Sequence, residues 1–173
     1  MKIVSFFSGA GGLDLGFHQA GFETIFANEF DKTIWDTFQY NFPNTYLDKR
    51  SIVDIPNSDV PNSIGIIGWP PCQSWSEAWA WRGINDKRWK LFYEYIRILK
   101  AKNPLFFLAE NVSGILLARH KEAFQNILHE FKSLGYNVSY VLLNANDYGV
   151  PQDRKRVIIV GYDKKLWKSF TPP

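Results

Sequence analysis

Residues 3–16 read IVSFFSGAGGLDLG, and the fold turns on how this stretch is understood. The apolar run at residues 3–7 has the length and the β-branched, aromatic character of a buried strand. Residues 13–20 place apolar side chains at helical spacing, and Gly9, Gly11 and Gly12 lie between the two segments. Three glycines in so short a span exceed what a tight turn needs. They let backbone approach a ligand at the carboxyl end of a parallel strand, beside a helix amino terminus. A dinucleotide fingerprint would need glycine at the first, third and sixth places, but counting from Gly9 and Gly11 the sixth place is Asp14. A nucleotide-like ligand other than NAD is expected.

Outward from this turn, apolar runs at residues 23–27, 64–67 and 105–109 alternate with helical periodicity at residues 31–41, 91–102 and 121–134. Such alternation predicts βαβ units and an α/β fold with a doubly wound, mostly parallel sheet. The tail departs from it. Strand-like runs at residues 137–143 and 157–161 are separated by a polar loop with Gly149, Pro151 and Gln152 and no helix, which predicts an antiparallel strand pair at the end of the sheet. The longest irregular segment, residues 68–90, is long enough to expect a function for it.

At 173 residues, 46% hydrophobic, the chain has the size of one domain and is expected to bury roughly 70% of its unfolded surface. Residues 171–173, Thr-Pro-Pro, read as a boundary leading to a second domain. A net charge of +3 permits a polyanionic partner without requiring one. The single cysteine, Cys72, excludes an internal disulfide framework and a cysteine-rich zinc site, and His18, His120 and His129 have no metal-ligand spacing, so no metal is expected. The amino terminus lacks a signal-peptide core, no stretch reaches membrane-span length, and a cytoplasmic location is expected.

Four positions carry candidate chemistry. Glu29 ends the second strand, where a carboxylate can accept both hydroxyls of a ribose; a surface carboxylate at a helix start is the competing reading. Cys72 follows Pro70 and Pro71 just beyond a strand end, a rigid placement that favours a nucleophile over a small buried apolar residue. Glu110 and Asn111 end another strand and would share a cleft with the thiol if the two strands are neighbours. Gln152, Arg154 and Arg156 alternate, which puts both arginines on one face of an extended segment suited to a carboxylate, a base edge or a phosphate.

The motifs FSGAGGLDLG, NEFD, PPCQSWS, ENV and YGVPQDRKR, taken in this order and spacing, resemble the bacterial DNA (cytosine-5)-methyltransferases over essentially the whole chain. Around Cys72 and residues 91–100 the likeness is closest to modification enzymes that recognise GGCC. The resemblance implies a methyl transfer from S-adenosyl-L-methionine, leaving S-adenosyl-L-homocysteine, to carbon 5 of cytosine in double-stranded DNA within a restriction-modification system. Phe7, Ser8, Gly9, Ala10, Gly11, Gly12 and Leu13 would line the cofactor pocket. Glu29 would hold its ribose and Phe30 would lie against its adenine, with Ser51, Ile52, Pro71 and Leu91 nearby. Cys72 would attack a flipped-out base, with Glu110, Arg154 and Arg156 supporting the reaction. Gln73, Ser76, Arg88, Asn111 and Gln152 would contact the DNA.

The family pattern is broken in places. Trp69, Trp79, Trp81 and Trp89 stand where small residues are usual, so Trp69 is expected to press on the cofactor pocket and the others to hinder loop closure. Ser51 stands where an adenine-contacting aspartate is usual, with Asp54 close by. Family enzymes continue into a target-recognition domain and a returning carboxyl-terminal segment, so a second fragment is an expected partner. An impaired cofactor- or DNA-binding module and an RNA cytosine methyltransferase remain alternatives on the sequence alone.

Overall fold

The computed structural model describes the backbone of residues 1–71 and 87–171, and side chains for residues 1–71 and 91–171. In chain order the elements are β1 (Lys2–Phe6), α1 (Gly12–Gln19), β2 (Glu23–Asn28), α2 (Trp35–Asn41) and β3 (Tyr46–Asp48). They continue with β4 (Gly65–Gly68), α3 (Lys87–Lys102), β5 (Phe106–Val112), α4 (Lys121–Ser133), β6 (Tyr136–Asn144) and β7 (Lys155–Asp163). Among the described residues the strands form one sheet in the order β3-β2-β1-β4-β5-β7-β6. β1 to β5 run parallel, and β7 lies antiparallel between β5 and β6. The expected α/β architecture, mostly parallel with an antiparallel pair at one end, is the one observed.

The chain winds outward from β1 to β3, then returns to place β4 on the other side of β1. Strand order therefore reverses between β1 and β4, and a doubly wound sheet opens its ligand crevice above the carboxyl ends of such a strand pair. Two details were not anticipated. β3 is only three residues long, and α2 begins at Trp35 rather than at residue 31. Asp31 instead closes a local turn, its Oδ1 accepting from the Thr33 amide at 2.9 Å and the Thr33 hydroxyl at 2.7 Å, a side-chain alternative to helical hydrogen bonding.

The apolar faces of α3 and α4 cover one side of the sheet. Phe92, Tyr95, Leu99, Phe124, Ile127 and Phe131 pack there on Val4, Phe6, Ile66, Phe107, Val157 and Ile159. Phe107 is fully buried, stacked on Phe131 with ring centroids 4.3 Å apart and edge-on to Tyr136 at 5.0 Å. Opposite it in the ladder sits Gly161, where a Cβ would run into the Phe107 ring, so β7 can lie against β5 only with glycine at that place. Tyr95 spans β4 and β5 from below, its hydroxyl donating to the carbonyls of Ile66 at 3.3 Å and Leu108 at 3.2 Å.

Beneath the glycine turn, Asp14 of α1 is fully buried and accepts from the hydroxyls of Ser5 at 3.1 Å and Thr24 at 3.0 Å, which ties α1 to β1 and β2. Burial pushes its carboxyl above the ordinary value of 3.8, against the two hydroxyl bonds that pull it down. The native state thus binds the proton more tightly than the unfolded chain. The associated stability is fully present below the unfolded value and is lost as pH rises through the folded one. Asp14→Asn, whose amide can still meet both hydroxyls, is expected to flatten the pH dependence of unfolding in the range above the ordinary aspartate value. Asp14→Ala strands both hydroxyls and should cost about 1–3 kcal/mol. Urea unfolding of both variants across that range checks the pair; an unchanged slope in Asp14→Asn would contradict the account.

Candidate active site at the carboxyl ends of the strands

β1 ends in a turn of left-handed backbone. Phe7 has φ 53°, Gly9 55° and Gly11 88°. A phenylalanine in that region is strained, and such strain persists only where surrounding structure imposes it. Gly11 caps α1: its amide donates to the Ser8 carbonyl at 3.0 Å, and its carbonyl accepts from Leu15 at 2.8 Å. A side chain at Gly11 would meet the Phe42 ring, on top of the unfavourable φ. Gly11→Ala is therefore expected to lower stability by about 1–3 kcal/mol, to be read as a shift in the denaturant midpoint. Ser8 is buried, and its hydroxyl has no partner among the described residues. A buried orphan hydroxyl beside open, glycine-lined backbone fits a polar ligand rather than a packing role.

Glu29 follows β2 and holds this turn. Its Oε2 accepts from the Gly9 amide at 2.9 Å and its Oε1 from the Asp31 amide at 2.7 Å. A carboxylate has about four acceptor positions, so room for two further donors remains. Trp35 donates its indole N–H to the Glu29 carbonyl at 2.8 Å, and Lys49 stands 4.8 Å from the Trp35 ring centroid. Asn28, buried, donates to the carbonyls of Asp48 at 3.0 Å and Arg50 at 2.8 Å and so pins β3 beside β2.

The other residues expected around a cofactor are distributed as follows. Ala10, Gly12 and Phe30 are exposed, and Leu13, Pro71 and Leu91 are half-buried. Ser51 caps the short turn Ile52–Asp54, while the Ile52 side chain lies in the core.

A second cluster stands at the end of β5, which neighbours β4 as the shared-cleft argument required, Gly68 pairing with Ala109. Glu110, 7% exposed, makes an ion pair with Arg156 at 2.9 Å and a longer one with Arg154 at 3.8 Å, both through Oε1. Burial pushes the Glu110 carboxyl above its ordinary 4.5, while Arg156 and then Arg154 pull it down without cancelling the shift. Asn111 donates to the Pro70 carbonyl at 3.3 Å and so fastens the segment beyond β4 to the end of β5. Arg154 also lies over the Trp69 ring, 5.4 Å from its centroid. The ring expected to press on the cofactor pocket is thus found against Arg154. Gln152 is exposed and lines a shallow depression with Ser113, Asp153 and the two arginines. Cys72, Gln73, Ser76, Trp79 and Trp81 lie outside the described residues, as do the side chains of Arg88 and Trp89.

The sequence profile of the family "C-5 cytosine-specific DNA methylase" matches residues 1–172. The chain belongs to this family. Among curated relatives, the Type II methyltransferase M.NgoPII of Neisseria gonorrhoeae is 59% identical over 174 residues, covering 100% of this chain and 51% of the relative. M.FnuDI of Fusobacterium nucleatum, also named a Type II methyltransferase, is 61% identical and is covered to 48%. The chain thus spans about half the length of these relatives. The structure of a Spodoptera frugiperda DNMT2 variant superposes with a TM-score of 0.80 at 26% identity, over 99% of this chain and 53% of that one.

Around the candidate site the sequence reading missed Asn28, which pins β3 beside β2, Trp35, which bonds the Glu29 carbonyl, and Asp14, which ties α1 to β1 and β2. An indole or carboxamide reaching a distant carbonyl leaves no periodic signal. Asn28 and Trp35 were findable only through their closeness to Glu29 in NEFDKTIW.

Proposed function

We propose that this chain supplies the catalytic and cofactor-binding part of a DNA (cytosine-5)-methyltransferase of the restriction-modification type, acting on double-stranded DNA in the bacterial cytoplasm and, following its likeness to such enzymes, at GGCC. The observation that carries the reading is Glu110: a buried acid flanked by two arginines, at the end of the strand beside the one that leads into Pro71 and Cys72.

The glycine turn, the Ser8 hydroxyl and Glu29 fit S-adenosylmethionine, with Glu29 accepting from the ribose hydroxyls and the turn giving backbone access. When bound there it supplies an electrophilic methyl group. The Cys72 thiolate forms a bond from sulfur to carbon 6 of an extruded cytosine, and the electron pair displaced from the ring double bond moves toward carbon 5 and nitrogen 3. Glu110 gives a proton or hydrogen bond to nitrogen 3 as negative charge builds there. Its raised carboxyl value favours that role, because the proton-bearing form survives to higher pH than in an ordinary glutamate. Carbon 5 takes the methyl group; a base then removes its proton, the double bond re-forms and the thiolate leaves. Arg156 and Arg154 hold the Glu110 carboxyl in place and add positive charge to the cleft, a setting that favours a thiolate.

The test uses the protein in its complete natural form and a duplex whose GGCC cytosines carry fluorine at carbon 5. No proton can then be removed, and the adduct persists. A denaturation-resistant protein–DNA species that requires S-adenosylmethionine is expected. Its absence, with folding and DNA binding intact, would overturn the reading in favour of a binding module. An equal yield on the corresponding RNA would overturn the choice of DNA.

A further inference from the structure

The geometry points to Trp69 as a positioning residue that holds the Arg154 guanidinium beside Glu110. This inference rests on the reading of Glu110 given above. Trp69 sits at the point where strand order reverses: β1 and β4 end together at Phe6 and Gly68, and the next amide, that of Trp69, donates to the Phe6 carbonyl at 3.2 Å. One residue further on, the Pro70 carbonyl is held by Asn111 of β5. The backbone on both sides of the indole is therefore fixed to neighbouring strands. The ring reaches past the end of β5 to the face of Arg154, 5.4 Å from centroid to guanidinium carbon, inside the range of about 6 Å in which a cation is attracted to an aromatic face.

Arg154 needs such a support. Its backbone is tied down, the amide donating to Asn144 Oδ1 at 2.9 Å and the carbonyl accepting from Ala145 at 3.0 Å, but its guanidinium meets Glu110 only at 3.8 Å and is one-third exposed. Arg156, at 2.9 Å, needs no such help. A long, part-exposed side chain at 3.8 Å would spend much of its time in solvent. An indole face on its other side limits that freedom, and the limited freedom keeps a second positive charge on the acid. Among the described residues the charged groups facing Glu110 are Arg156 of β7 and Arg154 just before it; the end of β4, from Gly65 to Pro71, contributes none.

Trp69→Leu keeps bulk but has no aromatic face, whereas Trp69→Phe keeps the face. Without the face Arg154 leaves Glu110 more often, the acid holds its proton to higher pH, and the Glu110-dependent limb of the methyl-transfer pH profile moves upward. At a pH below that limb, where Glu110 is protonated with or without the ring, the rate should fall roughly 2- to 30-fold, the rate equivalent of one cation–π contact, because a freer Arg154 adds less positive charge to the cleft. Trp69→Phe should restore most of both. In an Arg154→Ala background Trp69→Leu should add nothing, a double-mutant cycle that isolates the pair.

Additive effects in that cycle, or Leu matching Phe at position 69, would overturn the inference, since packing alone would then explain the residue. The two readings separate cleanly. If Glu110→Gln leaves the pH profile unchanged, the role given to Glu110 falls. If Glu110→Gln removes the limb while the Trp69 variants leave it in place, only the role of Trp69 falls.

Discussion

Glu110→Ala is expected to slow methyl transfer to duplex DNA by roughly 10²–10⁴, the contribution of one well-placed general acid. The substitution removes the proton donor and also leaves Arg156 and Arg154 facing one another without the carboxylate that both engage through Oε1. Comparison with Glu110→Gln divides the effect. The amide preserves shape and can still hydrogen-bond nitrogen 3, but it carries no acid, so the gap between Gln and Ala measures hydrogen bonding and the gap between wild type and Gln measures proton supply. The pH dependence follows from the raised carboxyl value, which comes first from burial. The active, protonated form is populated below that value and is lost as pH rises through it. Glu110→Gln should therefore lack a limb that wild type shows above the ordinary glutamate range. Labelled methyl incorporation across a pH series checks this, and a rate for Glu110→Ala within a few-fold of wild type would remove the acid from the mechanism.

Cys72→Ser is expected to abolish the covalent adduct altogether. A serine hydroxyl is almost wholly un-ionised at neutral pH, whereas a thiol with an ordinary value of about 8.5 already supplies a few per cent of thiolate, and positive neighbours raise that share. Because the chain has one cysteine, alkylation by iodoacetamide reads a single site. If the arginines favour the thiolate, the alkylation rate at neutral pH should drop when Arg154 or Arg156 is replaced. An adduct that survives in Cys72→Ser, seen as a shifted band or mass with fluorinated DNA, would assign the nucleophile elsewhere.

The fold was largely legible because its signals are local. The run from Ile3 to Phe7, the glycines behind it and the helical spacing of residues 121–134 each show in a window of a dozen residues. β3 was not, since Tyr46–Asp48 is too short to show any period. The start of α2 misled for a different reason: Asp31 has the composition of a helix cap, but its side chain closes a turn with Thr33, and the helix begins with Trp35. At the candidate site, Glu110, Arg154 and Arg156 were legible as strand-end and alternating residues, and the structure brings them together. The Trp69–Arg154 contact joins residues far apart in sequence and depends on which strands are neighbours, so no local pattern could contain it.

The placement of β7 between β5 and β6 also dictates the order in which the molecule can be made. During synthesis β6 leaves the ribosome before the strand it must pair with, and it has no edge to join until residues 155–163 have followed and slotted against β5. Such non-local pairing is the slow part of assembly. The segment that β6 waits for carries Arg156 and is led in by Arg154, so a nascent chain that has not yet added residues 154–156 holds its buried acid without either guanidinium.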